Sequence, residues 1–416
     1  MKILSLFTIA FLYIPNNIKG ILAHKNYKKR LKELQKVIGQ RKLKVCFLNS
    51  ENSKWVYQSL YDELCKSDLF TPQIIVALDR RFDNAEIERL KSNYEFFKSR
   101  GMNVVCSFDI ENKKHIPLNK FCPDILFYQE PWQLPEIYKP YEVSKYALCC
   151  YNSYGTGTTN GKNEYCARFF KEVWAYFLDN EFVKKTLENH GVSNKNLVVT
   201  GSIKLDSYLS PANPEKQLWK TDNYRIIYAP HFSFYKTSTL KFGTFDKYYK
   251  FFIEYAKFHP EIEFVFKPHP MLKKTIIRKK LMSPEETEKY YSFWEESSNT
   301  HLWEKGDYFD IFKTSNLMIT DCNSFLTEYL PTQHPLIRIV PEKTIGLNIF
   351  GEEITQGYYK IHNLEELKEI LDKLIIQKQD PLEDERKKCL EKLILPQNGV
   401  CSVIINYLIN RIREGV

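Results

Sequence analysis

Three short runs in the second half of the chain carry groups able to hold or polarise a phosphate: Ala229-Pro-His231, Lys267-Pro-His269-Pro270 and Thr320-Asp-Cys-Asn-Ser324. In the second run an ammonium and an imidazole flank one proline, and another proline stiffens the backbone beyond. His269 is thereby placed to donate to an oxygen that gathers negative charge as a phosphate bond breaks. In the third run Asp321, Asn323 and Ser324 are capping types ahead of an apolar helical stretch. Free backbone N–H groups and the positive dipole end at a helix start form a phosphate cradle. His231 has two readings, a group at the mouth of a sheet or a buried packing histidine.

Other motifs narrow the chemistry. Gly155-Thr-Gly-Thr-Thr-Asn-Gly161 looks like a dinucleotide fingerprint, but its third glycine is one place late and no helix begins there. It is read instead as a loop closing over an acceptor phosphate. Asp-x-Asp and His-Glu-x-x-His are absent. A helix terminus with His and Lys can do the charge work of Mg²⁺, so no metal and no cofactor are expected.

The elements that must position these groups follow from hydrophobic period. From Lys42 onward short apolar runs alternate with amphipathic stretches, which predicts strand–helix–strand units and parallel sheets. Strands are expected at Lys44–Leu48, Gln73–Leu78, Asn103–Cys106, Asp124–Tyr128, Tyr146–Tyr151, Val173–Leu178 and Leu197–Thr200. A second set is expected at Arg225–Tyr228, Glu263–Lys267, Leu317–Thr320 and Leu336–Ile339. Helices are expected at Lys54–Cys65, Ala85–Arg100, Glu181–His190, Phe245–Phe258, Phe325–Leu330, Leu364–Ile375 and Cys401–Ile412, with Gly101 and Gly191 as C-terminal caps. Ser207–Asn223, with two prolines, is the linker candidate. The domains expected are a membrane-proximal helical segment over 1–40, a Rossmann-like acceptor domain over 41–207, a Rossmann-like nucleotide-donor domain over 208–395 and a C-terminal helix over 396–416. The fold class is α/β, two doubly wound domains facing a cleft. Ligands in such sheets bind beyond the carboxyl ends of the strands.

At 416 residues, 43% apolar and 27% charged, the chain is long and apolar enough for two cores and is not a disordered polymer. Its formal charge of +9 suits a phosphate-rich substrate or an anionic membrane surface. No zinc-finger spacing, RNP-like run or long basic block argues for nucleic acid. Ile3–Ile14 is apolar but too short to span a bilayer. The Lys19, Lys25, Lys28, Lys29 and Arg30 cluster then favours the cytoplasmic inner face of a membrane, with plain packing as the other reading of this helix. Ten cysteines without a Cys-x-x-Cys pair read as reduced, structural thiols.

Ile226-Ile-Tyr-Ala-Pro-His-Phe-Ser233, Phe264-Val-Phe-Lys-Pro-His-Pro270 and Ile319-Thr-Asp-Cys-Asn-Ser-Phe-Leu-Thr-Glu-Tyr329 together resemble the CDP-glycerol glycerophosphotransferase family. Val199–Asp206, Thr244–Phe252 and Gly306–Phe312 are similar to it as well, so the likeness spans roughly residues 125–340. The resemblance implies a GT-B fold and an enzyme of teichoic-acid or capsule synthesis in the cell envelope. It would move a polyol phosphate from a CDP-linked donor to a polymer or lipid-linked acceptor and release CMP. It implies that His269 binds the donor diphosphate and that Thr320, Asp321, Asn323 and Ser324 line the phosphate and nucleotide site. Glu328, one turn on, either meets ribose hydroxyls or faces solvent. One departure stands out: family members carry Trp-His-Gly-Thr-Pro, with the His as base, where this chain has Asn152-Ser-Tyr-Gly-Thr-Gly157. Tyr154 at that place is a poor base near neutral pH, and Glu130 in Tyr128-Gln-Glu-Pro-Trp132 is the substitute. Two other functions remain open: a UDP-sugar transferase or epimerase on the same fold, and a non-catalytic membrane-associated binding subunit.

Overall fold

The computed structural model describes residues 2–78, 84–155, 157–159, 167–213, 219–235, 238, 240–304 and 307–415, with side chains from residue 18 onward and without that of residue 84. Thr156, Asn160, Gly161 and Gly306, the middle of the linker candidate and the side chains of Ile3–Ile14 lie outside the described part.

The chain forms two compact units: 1–156 with 162–206 and 394–416, and 157–161 with 207–393. The first is built on β1 (Leu43–Asn49), β2 (Phe70–Val76), β3 (Val104–Cys106), β4 (Ile125–Tyr128), β5 (Leu148–Asn152), β6 (Ala175–Leu178) and β7 (Leu197–Val199). They pair in the order β3-β2-β1-β4-β5-β6-β7, every pair parallel. The second sheet holds β8 (Tyr224–Ala229), β9 (Ile262–Phe266), β10 (Thr300–Leu302), β11 (Leu317–Thr320), β12 (Leu336–Ile339) and β13 (Tyr359–Ile361), in the order β10-β9-β8-β11-β12-β13, again all parallel. Both orders run outward from a central first strand and then reverse, the dinucleotide-binding arrangement with its switch point beside that strand. The switch points lie between β1 and β4 and between β8 and β11.

Local sequence accounts for much of this. Helices cover parallel strands on both faces, so the strands are continuous apolar runs, as in Ile125–Tyr128 and Leu317–Thr320 with all four residues buried. Gly101 and Gly191 adopt φ of 68° and 78°. Gly101 N–H bonds Lys98 O while Met102 N–H bonds Phe97 O, and Gly191 and Val192 repeat that pair on Glu188 and Leu187. Both are Schellman closures, the caps the sequence predicts.

The first helix runs over Lys2–Val37. From residue 23 it is a packing helix of the first unit: Ala23, Tyr27, Leu31 and Leu34 are buried at helical spacing. Arg30 reaches Asp124 at 2.5 Å, and Tyr27 donates to Glu172 O at 2.8 Å. The Gly399–Glu414 helix joins the same unit, where Asp206 accepts from the amides of Val400 and Cys401 at 2.6 and 2.9 Å. No helix among the described residues is long and apolar enough to cross a membrane.

Candidate functional site

The β9, β8 and β11 tips are neighbours, and hydrogen bonds continue past the strands. Lys267 N–H donates to Tyr228 O at 2.8 Å and His269 N–H to Pro230 O at 3.1 Å. The Thr320 hydroxyl donates to Ala229 O at 2.6 Å and accepts Cys322 N–H at 2.9 Å. Asp321, 4% exposed, accepts His231 N–H on one oxygen at 2.5 Å and the Thr244 N–H and hydroxyl on the other at 2.6 and 2.8 Å. Burial pushes its carboxyl up to about 7, against those hydrogen bonds, which favour the anion. Thr320 and Asp321 therefore spend their polar atoms on the protein itself. They tie the loops after β8 and β11 to each other and to the turn at Thr244.

His231 and His269 come together at this point. His231 is 7% exposed, and its Nδ1 lies 2.7 Å from Ser233 Oγ and accepts Ser233 N–H at 3.3 Å. Ser233 Oγ in turn accepts the amides of Phe242 and Gly243 at 3.0 and 3.2 Å, so its proton points at the ring. Burial, and secondarily His269, lowers the His231 pKa to about 3. His231 is thus a neutral imidazole with its proton on Nε2. His269 is half-buried, and its Nδ1 accepts Met271 N–H at 3.1 Å, which leaves the proton of its neutral form on Nε2 as well. Phe232 packs on the His269 ring at 4.5 Å between centroids.

The third loop differs from the capping expectation. Its helix is short, Asn323–Glu328, and the N-cap is Cys322 without a side-chain cap bond. Asn323 is 8% exposed with Nδ2 unpartnered, and Ser324 is half-buried. Glu328 is fully buried, not solvent-facing, and accepts the Tyr308 hydroxyl at 2.5 Å. The Lys267 ammonium lies over the Tyr308 and Phe325 rings, 4.5 and 5.5 Å from their centroids. Burial first, then Glu328, holds the Tyr308 phenol well above its usual range. Ser233, Thr244 and Tyr308 are participants that motif reading did not single out. Their signal, a hydroxyl two or more residues away from the histidines and carboxylates, is too common in sequence to stand out.

In the first unit the two candidates for base chemistry converge on one lysine. Glu130, just past β4, takes Lys54 Nζ at 2.8 Å on one oxygen and the Ser50 hydroxyl on the other. The Tyr154 ring centroid lies 5.6 Å from Lys54 Nζ. Burial alone would lower the Lys54 pKa, but Glu130 and then Glu51 outweigh it and keep the ammonium charged. Gln129 fixes the facing loop by accepting Ser50 N–H at 2.9 Å and donating to Glu51 O at 2.5 Å. The segment Gly157–Thr159, from the glycine loop, belongs to the second unit and rests on Asn348, whose Nδ2 donates to Gly157 O at 2.7 Å and Thr159 O at 3.3 Å. Among the described residues no three His, Cys, Asp or Glu side chains gather as metal ligands would.

Solved structures of similar fold have low sequence identity. A Listeria monocytogenes protein ascribed to the UDP-N-acetylglucosamine 2-epimerases is similar with a TM-score of 0.62 and 16% identity, over 90% of this chain and 97% of that one. UDP-GlcNAc 2-epimerase from Neisseria meningitidis, bound to UDP-GlcNAc, gives 0.56 and 14% over 89% and 100%. A glycosyltransferase from Rickettsia africae gives 0.50 and 13% over 90% and 98%. These likenesses carry the fold, two Rossmann-like domains of the GT-B type. Comparison with curated proteins finds no match. Residues 159–345 match the model of the CDP-Glycerol:Poly(glycerophosphate) glycerophosphotransferase family, the family that the motifs at the three strand tips resemble.

Proposed function

We propose that the chain transfers a polyol phosphate, such as glycerol phosphate, from a CDP-linked donor to a hydroxyl of a cell-surface polymer or lipid-linked acceptor, releasing CMP. The observation that carries this reading is the meeting of His231 and His269, ring centroids 4.8 Å apart, past the carboxyl ends of β8 and β9 and next to the switch point of the second sheet. The Nε2–H groups of the two rings, with His231 held neutral by burial, suit the oxygens of a diphosphate. The family match over residues 159–345 supports a donor of that class.

In the reaction, the acceptor oxygen attacks the β-phosphorus and forms the new P–O bond. The bond from β-phosphorus to the bridging oxygen breaks, and its electron pair leaves with CMP. His269 and His231 donate to the phosphate oxygens, with Lys267, Asn323 and Ser324 as further donor-binding groups. Glu130 takes the acceptor proton, with Tyr154, whose ring centroid lies 5.6 Å from the Lys54 ammonium, as the other catalytic candidate. Thr320, Asp321 and Thr244 hold the loops, and Glu328 paired with Tyr308 is the candidate for the ribose end.

The first helix supports a peripheral place on an anionic membrane surface. Ile18, Ile21 and Leu22 are exposed at 45%, 68% and 38%, and Lys25, Lys28 and Lys29 are exposed beside them. The fold likeness to UDP-sugar enzymes favours a second reading, a UDP-sugar transferase or epimerase.

Incubation of purified protein with CDP-glycerol, CDP-ribitol and UDP-sugars separates the two readings: CMP release supports the first, UDP release the second. His269→Ala is expected to lose transfer by about 10²-fold or more, the scale for removing one electrostatic stabiliser. Wild-type turnover in that variant ends the assignment.

A further inference from the structure

At the switch point of the first sheet a small pocket of about 20 Å³, open at its mouth and sized for a methyl-like group, lies beside the Glu130 cluster. Leu48, Ala77, Trp132 and Leu134 are among its apolar walls, and Ser50 and Glu130 stand at its edge. The loop after β4 shapes it. Gln133 adopts φ of 55°, a left-handed conformation uncommon for a residue with a side chain. That turn brings Trp132 and Leu134, on either side of Gln133, to the same pocket. Trp132 is 36% exposed, a large apolar surface left partly in water.

The polar edge is built as firmly as the walls. Lys54 holds one Glu130 oxygen at 2.8 Å, the Ser50 hydroxyl binds the other, and Gln129 pins the Ser50–Glu51 backbone. An alcohol brought to Glu130 finds an acceptor for its proton and, in Ser50, a hydroxyl partner for its oxygen. Its neighbouring carbon atoms then meet apolar side chains. A molecule with a hydroxyl on every carbon would set polar groups against those walls without partners, at a cost.

We propose that this pocket seats the acceptor: an alcohol whose reacting hydroxyl binds Glu130 and Ser50 while a small apolar group on the adjacent carbon fills the space beside Trp132. The fate of the hydroxyl rests on the transfer reading above; the binding does not. When transfer occurs, the hydroxyl proton passes to Glu130 as its oxygen bonds to phosphorus. Ser50 is then a positioning residue that fixes the Glu130 oxygen.

The test uses the full chain with ¹⁵N-labelled indoles, the Trp132 signal being identified from Trp132→Phe. Propane-1,2-diol and glycerol differ by a methyl in place of a hydroxymethyl group. Propane-1,2-diol is expected to shift the Trp132 signal at about tenfold lower concentration, the worth of one methyl-sized group in an apolar pocket. Ala77→Leu, which fills the pocket, is expected to abolish the shift and leave CMP binding unchanged. Should that variant not fold, Trp132→Ala serves, expected to raise the acceptor KM and leave the donor KM alone. Equal responses to the two alcohols, an undiminished shift in folded Ala77→Leu, or unchanged acceptor KM in Trp132→Ala would overturn the proposal. If the titration behaves as expected while no acceptor elicits CMP, the alcohol pocket stands and the transfer reading fails. If CMP is released but propane-1,2-diol and glycerol titrate alike, the pocket proposal falls by itself.

Discussion

His231 and His269 meet edge to face, with centroids 4.8 Å apart and planes at 67°. Each takes a donor on Nδ1, the first from Ser233 and the second from the Met271 amide. His231, kept neutral by burial, stabilises developing charge by hydrogen bonding rather than as a cation.

His231 is therefore expected not to titrate between about pH 5 and 9, in contrast to an ordinary histidine near 6.5. The sign of its effect on stability follows. With a folded pKa near 3 against an unfolded value of 6.5, the unfolded chain binds more protons between the two. The contribution of His231 is complete above the unfolded value and is lost as pH falls towards the folded one. NMR of labelled histidines across that range checks the first statement. Melting curves of His231→Gln check the second, since the variant should lose less stability than the parent on acidification.

Ser233→Ala removes both the donor to His231 Nδ1 and the acceptor shared by the Phe242 and Gly243 amides. A buried group left without its partner costs about 1–3 kcal/mol, so CMP affinity is expected to fall roughly tenfold by calorimetry. Ser233→Thr keeps the hydroxyl and is expected to recover most of it. A free choice between the two ring tautomers in Ser233→Ala, seen by ¹⁵N chemical shift, separates positioning from simple packing.

How much of this was legible beforehand depended on whether the determinant was local. Phe245–Phe258 and Leu317–Thr320 stand where periodicity predicts them, because one apolar face or one buried run suffices. The Pro284–Glu296 helix was not expected, although Ser283 and Glu286 form a capping box at its start. The edge strands Thr300–Leu302 and Tyr359–Ile361 are too short for a period to show. At the site, His269 and Asn323 could be singled out from the residues after each strand. The duties of Asp321 and Glu328 could not. Whether a carboxylate faces a ligand, a backbone amide or Tyr308 depends on loops distant in sequence, as Thr244 to Asp321 demonstrates at 2.6 Å.

Gly243 is required by close approach. A Cβ there would lie 2.6 Å from His231 O and from Phe234 N. Both are backbone atoms of the loop that carries His231, so they cannot swing away as a side-chain end could. Gly243→Ala is expected to displace residues 231–234, cost about 1–3 kcal/mol as overpacking does, and abolish protection by CMP in thermal melts while the circular dichroism stays that of an α/β fold.

Asn348 has two separable duties, and one substitution tells them apart. Its Oδ1 accepts Gly351 N–H at 2.8 Å and caps the Ile349–Ile354 helix. Its Nδ2 donates to Gly157 O and Thr159 O, while its own amide donates to Thr158 O at 2.9 Å. Gly351 lets that segment lie close, since a Cβ there would come within 2.4 Å of Thr158 O. Asn348→Asp keeps the capping oxygen and replaces the donors with a charge that repels the Gly157 and Thr159 carbonyls. Asn348→Ala loses cap and donors together, at about 1 kcal/mol for the cap. Hydrogen exchange at Thr158 and Thr159 is expected to speed up in both variants, and the amide of Gly351 to lose protection only in the alanine variant. Slow exchange at Thr159 in Asn348→Asp would mean that the Thr159–Leu347 bridge, not the amide side chain, holds the segment in place.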